Sequence, residues 1–386
     1  MGWDRRLPDS VQAPAPIVMG RWVLAAGLAV SASVLLFWLY ASGRVSGLQG
    51  LNMWVVTGLP LMSWLLAFGT RAYVYGGALS HQQFLEEQAQ IAQQSWQDWA
   101  HRYLAVHACY VLLPDRVSAS VLTQGSVNLP PRTGEARRIT ALSQREEPAL
   151  AGLALLFPVL VPSLLALPAG HELRVTLLSD AEPEQYEALR GAWQRHWTSA
   201  IRRPPPSSVT ITSELSYQWI DETLKTASAS LELILVLQAQ GGSAYSDGLA
   251  ALLLCPDKLA AEWGLAVQGG ILRPMSLDIT TLESELALFF QTQADARQAT
   301  GLLADNAGWQ PLAGKIVAAS GANGASLKVE QQWIQERLCG LPGPFSHWLT
   351  AALSVQVVQH QQSPLLVLVQ ERAQHWISTV TKGEHA

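Results

Sequence analysis

Charge is scarce in this chain. Asp, Glu, Lys and Arg make up 14% of its 386 residues, and acids outnumber bases by 30 to 25. A net charge of −5 supplies no basic face for a phosphate backbone, which excludes a nucleic-acid partner. Cysteine is scarcer still. Cys109, Cys255 and Cys339 are an odd number, widely spaced and without a C-x-x-C pair. They build neither a disulfide framework nor a zinc site, and they read as small buried hydrophobes. G-x-S-x-G, H-E-x-x-H and D-x-D-x-D-G are all missing. No two of the nine histidines stand three or four residues apart, the spacing with which one helix face grips a metal. The sequence therefore nominates no catalytic residue, no metal ligand and no cofactor site.

What is present is long uncharged runs. Residues 22–43 and 45–70 contain no formal charge, and each exceeds the roughly 20 apolar residues that a helix needs to cross a bilayer core. Trp22, Trp38 and Tyr40 lie near the ends of the first, where amphipathic rings favour the headgroup region. The expected organisation is a disordered tail over 1–19, a transmembrane helical hairpin over 20–71 and a linking amphipathic helix over 79–102. Arg5, Arg6, Arg21 and Arg71 flank the hairpin, against Arg44 alone in its loop. This bias places the large C-terminal part in the cytoplasm of a two-pass inner-membrane protein. A signal peptide ending near Ala41-Ser42-Gly43 is the alternative. A third uncharged run, from Pro148 to His171, is long enough to span as well. Pro158 and Pro162 in its middle argue instead for a buried helix or a broken helix pair.

Beyond residue 102 the pattern alternates. YLAVHACYVLLP (103–114), ARRITAL (136–142), HELRVTLLSD (171–180), SVTITSE and LELILVLQA (231–239) read as strands. PEQYEALRGAWQRHW (183–197), YQWIDETLKTA (217–227) and TTLESELALFFQTQADA (280–296) read as helices. Such alternation implies α/β architecture with βα units around a sheet buried on both faces. The triple proline in IRRPPPSS suits a boundary, giving a first half over 103–200 and a second over 207–386.

Few positions suggest chemistry. Ser246-Asp247-Gly248 sits between two apolar runs and reads as a hairpin turn or as the mouth of a site. The small-residue loop Ser320–Ser326, with Lys315 before it, reads as a solvent loop or as a weak anion cradle. Asp221 and Glu222 are helix neighbours that diverge. Of the fifteen tryptophans, Trp193, Trp197, Trp219, Trp333 and Trp348 fall mostly on expected helices, as packing or at an interface.

The strand leading into Ser246-Asp247-Gly248, the apolar run after it and the preceding YQWIDETLKTA helix together resemble the thiolase-like fold over about residues 100–380. That resemblance implies a two-half βα body. It also implies a nucleophilic cysteine in a short polar context and histidines in glycine-flanked motifs. Cys109, Cys255 and Cys339 match no such context, and His347 lacks the glycine, so the reaction is expected to be lost. The hairpin, the QW-rich helix over 81–100 and the QWIDETL and SDGLAALLL segments resemble accessory proteins that load type VI secretion effectors. From these follow two expectations. One is a membrane-anchored, non-enzymatic adaptor that touches lipid through 20–71 and binds a protein partner. The other is a thiolase-like or lipid-handling enzyme at the membrane.

Overall fold

The structure, a computed structural model, describes residues 2–3, 13–45, 47–124, 130–142, 147–168, 170–206, 208–226 and 229–383. Most of the tail expected over 1–19 lies outside them. The chain divides into two compact units, Gly2–Ser95 and Trp96–Ala386 together with Met1.

The first unit is a helical hairpin. Helix α1 runs Met19–Ala41 and α2 runs Met53–His101. Trp64 Nε1 donates to Trp22 O at 3.1 Å, and Phe68 meets both Trp22 and Trp64 through ring contacts of 5.3 and 5.4 Å. The expected span and linking helix are one continuous helix of 49 residues. Gly76-Gly77 does not interrupt it, since a glycine in a helix interior costs only about 1 kcal/mol against alanine. Among the described residues, three helices are long and apolar enough to cross a membrane: α1, α2 and the helix Pro148–Ala166.

The second unit is a mixed α/β domain. After α2 come β1 (Tyr103–Leu112), α3 (Ala119–Thr123), α4 (Pro148–Ala166), β2 (Leu173–Ser179), α5 (Tyr186–Ala200), β3 (Ser208–Thr212), α6 (Trp219–Thr226), β4 (Leu231–Gln238), β5 (Gly248–Pro256) and α7 (Asp257–Glu262). Then follow β6 (Gly269–Leu272), β7 (Met275–Leu277), α8 (Leu282–Thr292), β8 (Gly301–Ala304), α9 (Ala313–Ala322), β9 (Gln332–Ile334), α10 (Gln335–Cys339), α11 (Ser346–Gln361), β10 (Leu365–Glu371) and β11 (Gln374–Thr381).

Hydrogen bonding orders the strands β3-β2-β4-β5-β1-β6-β11-β10-β8-β9, with β7 added on β11. The order is a duplication. Within β1–β5 the spatial sequence is third, second, fourth, fifth, first. Without β7, the strands β6, β8, β9, β10 and β11 repeat it. In both halves the second, third and fourth strands are parallel, and the fifth runs against its two neighbours. The repeat therefore divides between β5 and β6. The expected division at the triple proline falls inside the first copy, because β2 pairs with β3 across it. ARRITAL is irregular rather than a strand.

β4 and β5 are buried at every position, which is why they read as near-continuous apolar runs, interrupted in β4 by Glu232 and Gln238. One face of the sheet receives α11, buried at every position from Ser346 to Val355, with the hydroxyls of Thr350 and Ser354 satisfied by internal hydrogen bonds. The other receives α4, whose Leu153, Leu156, Phe157, Leu160 and Leu164 enter the core. Gly152 brings α4 close to β5, since a Cβ there would stand 2.8 Å from Leu249 Cδ2. Pro158 and Pro162 lie on the opposite, exposed side, and the carbonyls they leave unpaired belong to exposed Ala154 and Pro158. The uncharged run is thus one helix with a packed face. Phe157→Ala is expected to destabilise the domain by about 3–5 kcal/mol. Denaturant unfolding followed by near-ultraviolet dichroism checks this, and an unchanged midpoint would place α4 outside the core.

Candidate functional site

Parallel strands leave a crevice at their carboxyl ends, the usual ligand position in an open α/β sheet. In the second half that crevice is a cavity of about 400 Å³, within the size range of small-molecule sites. Leu302 and Ala304 of β8, Ile334 of β9 and Leu368 of β10 form its floor, and Trp309 and Ile316 form a wall. Gln310, Gln332 and Arg337 also line it. A larger cavity of about 650 Å³ is lined by Asp98, His101, Asp295 and Lys382; it is polar, and His101 Nδ1 is already engaged with Asp295 at 3.1 Å.

The wall residue Trp309 is held from below. Its Nε1 donates to Asp305 Oδ1 at 3.0 Å, Asn306 Nδ2 donates to the same oxygen at 2.8 Å, and Gln370 N donates to Oδ2 at 2.8 Å. Asp305 directly follows β8 and clamps the end of β10. Asp180 directly follows β2 and does the same to β4, accepting from Ala239 N at 2.8 Å and Gln240 N at 2.7 Å. The backbone matches too: Asp305 N donates to Leu368 O and Asp180 N to Leu237 O. The duplication thus extends to single side chains. No sequence signal marks this pair, because the two aspartates stand alone in unlike contexts.

Burial pushes the Asp305 carboxyl from 3.8 up to about 7, outweighing its donors. Between those values the folded chain keeps a proton that the unfolded chain has released. This carboxyl therefore costs stability progressively as pH rises from about 4 to about 7. Asp180, Glu232 and Asp247 shift the same way, also through burial. Replacing Asp305 by Asn is expected to make unfolding free energy fall less steeply between about pH 5 and pH 7 than in the parent, as read from denaturant titrations.

The residues singled out from sequence fall elsewhere. Ser246 and Asp247 lie at the end of the β4–β5 loop, both buried. Ser246 Oγ accepts from Arg137 N at 2.9 Å, and Asp247 accepts from Ile139 N at 2.9 Å and from the Arg138 guanidinium. They pin the ARRITAL segment to the domain and are not a site mouth. Ser320–Ser326 follows from the last turn of α9, where carbonyls rather than N–H groups project; this end of a helix repels anions. Asp221 is buried and paired with Arg273, while Glu222 is exposed. His347 is buried, with Nε2 2.9 Å from Leu215 O, and burial lowers its pKa. Trp348 Nε1 donates to the same carbonyl at 2.8 Å. Trp193, Trp197, Trp333 and Trp348 are core residues, and Trp219 is half-buried. Among the described residues no three His, Cys, Asp or Glu side chains are grouped to hold a metal.

All three cysteines are free and buried. Burial pushes the Cys255 thiol up to about 12 and raises those of Cys109 and Cys339 further. Reactivity belongs to the thiolate. Iodoacetamide at neutral pH is therefore expected to leave all three unmodified in the folded chain and to alkylate them after denaturation, as intact mass will report.

No family model matches the chain, and no curated protein matches its sequence. Among solved structures it is similar to the ishigamide ketosynthase/chain length factor, with 11% identity, 73% of this chain and 99% of that chain covered, and a TM-score of 0.49. It is similar to cerulenin-bound OleA of Xanthomonas campestris, with 9% identity, 73% and 98% covered, and a TM-score of 0.42. It is also similar to 3-oxoacyl-[acyl-carrier-protein] synthase III of Aquifex aeolicus, with 10% identity, 72% and 99% covered, and a TM-score of 0.41. Likeness of this degree carries no inference about chemistry. The two-half α/β architecture rests on the hydrogen-bond register of the chain itself.

Proposed function

We propose that the protein is a membrane-associated, lipid-handling member of the thiolase-like architecture that lacks a cysteine nucleophile. The observation that carries this reading is the cavity at the carboxyl ends of β8, β9 and β10, lined mostly by apolar residues, in a chain whose α1 and α2 are of bilayer length and carry exposed apolar side chains. A protein that draws ligands from the lipid phase benefits from being held beside it, and α1 with the first part of α2 is the segment suited to hold it. The buried thiols speak against cysteine-based acyl transfer. The cavity is suited to binding, and binding is the activity that this reading assigns.

The adaptor for a protein partner is the second reading, favoured by the same inert thiols. A type VI secretion partner, implied by the sequence resemblance, gains nothing from the fold or the cavity. The two readings part on one measurement. Membranes containing the full-length chain are irradiated with a neutral photoreactive alkanol and the labelled peptides identified. Lipid handling predicts adducts within 302–338 that disappear in Ala313→Phe, which fills the cavity from α9. Labelling confined to α1 and α2 sinks the lipid-handling reading.

A further inference from the structure

The arginines of the segment that follows Pro131, itself part of the cavity lining, are paired. Arg132 pairs with Asp115 at 3.2 Å, Arg137 with Asp115 at 2.8 Å, and Arg138 with Asp247. Arg337 differs. It is exposed, it lines the cavity, and among the described residues no ion pair or hydrogen bond engages its guanidinium. Its own backbone is fixed, because Arg337 O accepts from Arg132 N at 2.9 Å. An anchored backbone, an unused planar cation and an apolar chamber behind it form one recognition unit. A guanidinium binds a carboxylate or phosphate through paired N–H donors. The chamber offers Trp309, Ile334, Leu302, Ile316 and Leu368 to a hydrocarbon, and Gln310 and Gln332 add amide groups.

We propose that the cavity binds a single-chain anionic amphiphile, with its head on Arg337 and its tail against Trp309, Ile316 and Leu368. This names the ligand class for the lipid-handling site and rests on that reading. A neutral alcohol gains the apolar contacts but leaves the guanidinium unpaired. An anion gains both. A charge-assisted hydrogen bond is about twice as strong as a neutral one, so head-group chemistry sets selectivity while the chamber sets length.

The test is competition for photolabelling of the full-length chain in membranes, using the neutral alkanol as reporter. Dodecanoate, dodecyl phosphate and dodecanol compete in separate arms, which separates a free acyl chain from a lipid phosphate. At least one anion is expected to compete about tenfold better than dodecanol in the parent. In Arg337→Gln that advantage is expected to vanish while the reporter still labels 302–338; Arg337→Lys is expected to restore part of it. Equal competition by all three in the parent, or an anion preference that survives Arg337→Gln, overturns the head-group assignment and leaves the lipid-handling reading standing. Failure of the reporter to label the cavity at all overturns both. Arg337 is exposed, so the substitution does not disturb the core, and retained reporter labelling verifies this in the same experiment.

Discussion

Four residue pairs, Tyr103–Val106 against Leu272–Gly269, join the two copies of the repeat into one sheet. Each copy taken alone would end there in an open strand edge, with unpaired backbone donors and acceptors. The seam closes only because β6 begins with two glycines. A side chain at Gly270 would stand 2.6 Å from the Tyr103 ring, and one at Gly269 would press on Thr381 O and Val355 at 3.1 Å. Val355 belongs to α11, so the seam also seats the most buried helix of the domain. The position of every other strand follows from this line.

The two copies have since parted company in their fillings. The helix between the second and third strands is α5 in the first copy and α9 in the second. α5 carries Trp193 and Trp197, and Trp193 stacks edge-on against Phe157 of α4 at 5.4 Å, so that layer is solid. α9 reads AGKIVAASGA and offers only Ile316 and small side chains above β8 and β9. An equivalent helix with its bulk removed leaves a chamber. The clamps beneath are retained in both, as Asp180 and Asp305, because the strand ends they tie down are the same.

Much of the skeleton was legible. The near-continuous apolar runs of β4 and β5 announced strands buried on two faces, and Pro183 with its acidic neighbours announced α5. Length without context was not decisive. The uncharged stretch at 148–166 satisfies bilayer length and core burial alike, and only the packing of Phe157 and Leu160 distinguishes them. ARRITAL was misleading because its extended backbone is stitched by side chains of Ser246 and Asp247, more than a hundred residues away. The cavity left no trace in the sequence. Its lining comes from separate elements, and Arg337 is set apart only by what its neighbours pair with.

The strand order also sets a timetable. β1 is the first strand to leave the ribosome, yet its partners lie far downstream: Leu112 waits for Leu249, and Leu104 for Pro256. At synthesis rates of roughly 5–20 residues per second that interval is on the order of ten seconds. Throughout it an apolar strand, emerging directly behind two greasy helices, has no lawful neighbour. A chain stalled anywhere before β5 carries β1 as an unpaired apolar edge, the kind of strand that pairs wrongly with another chain.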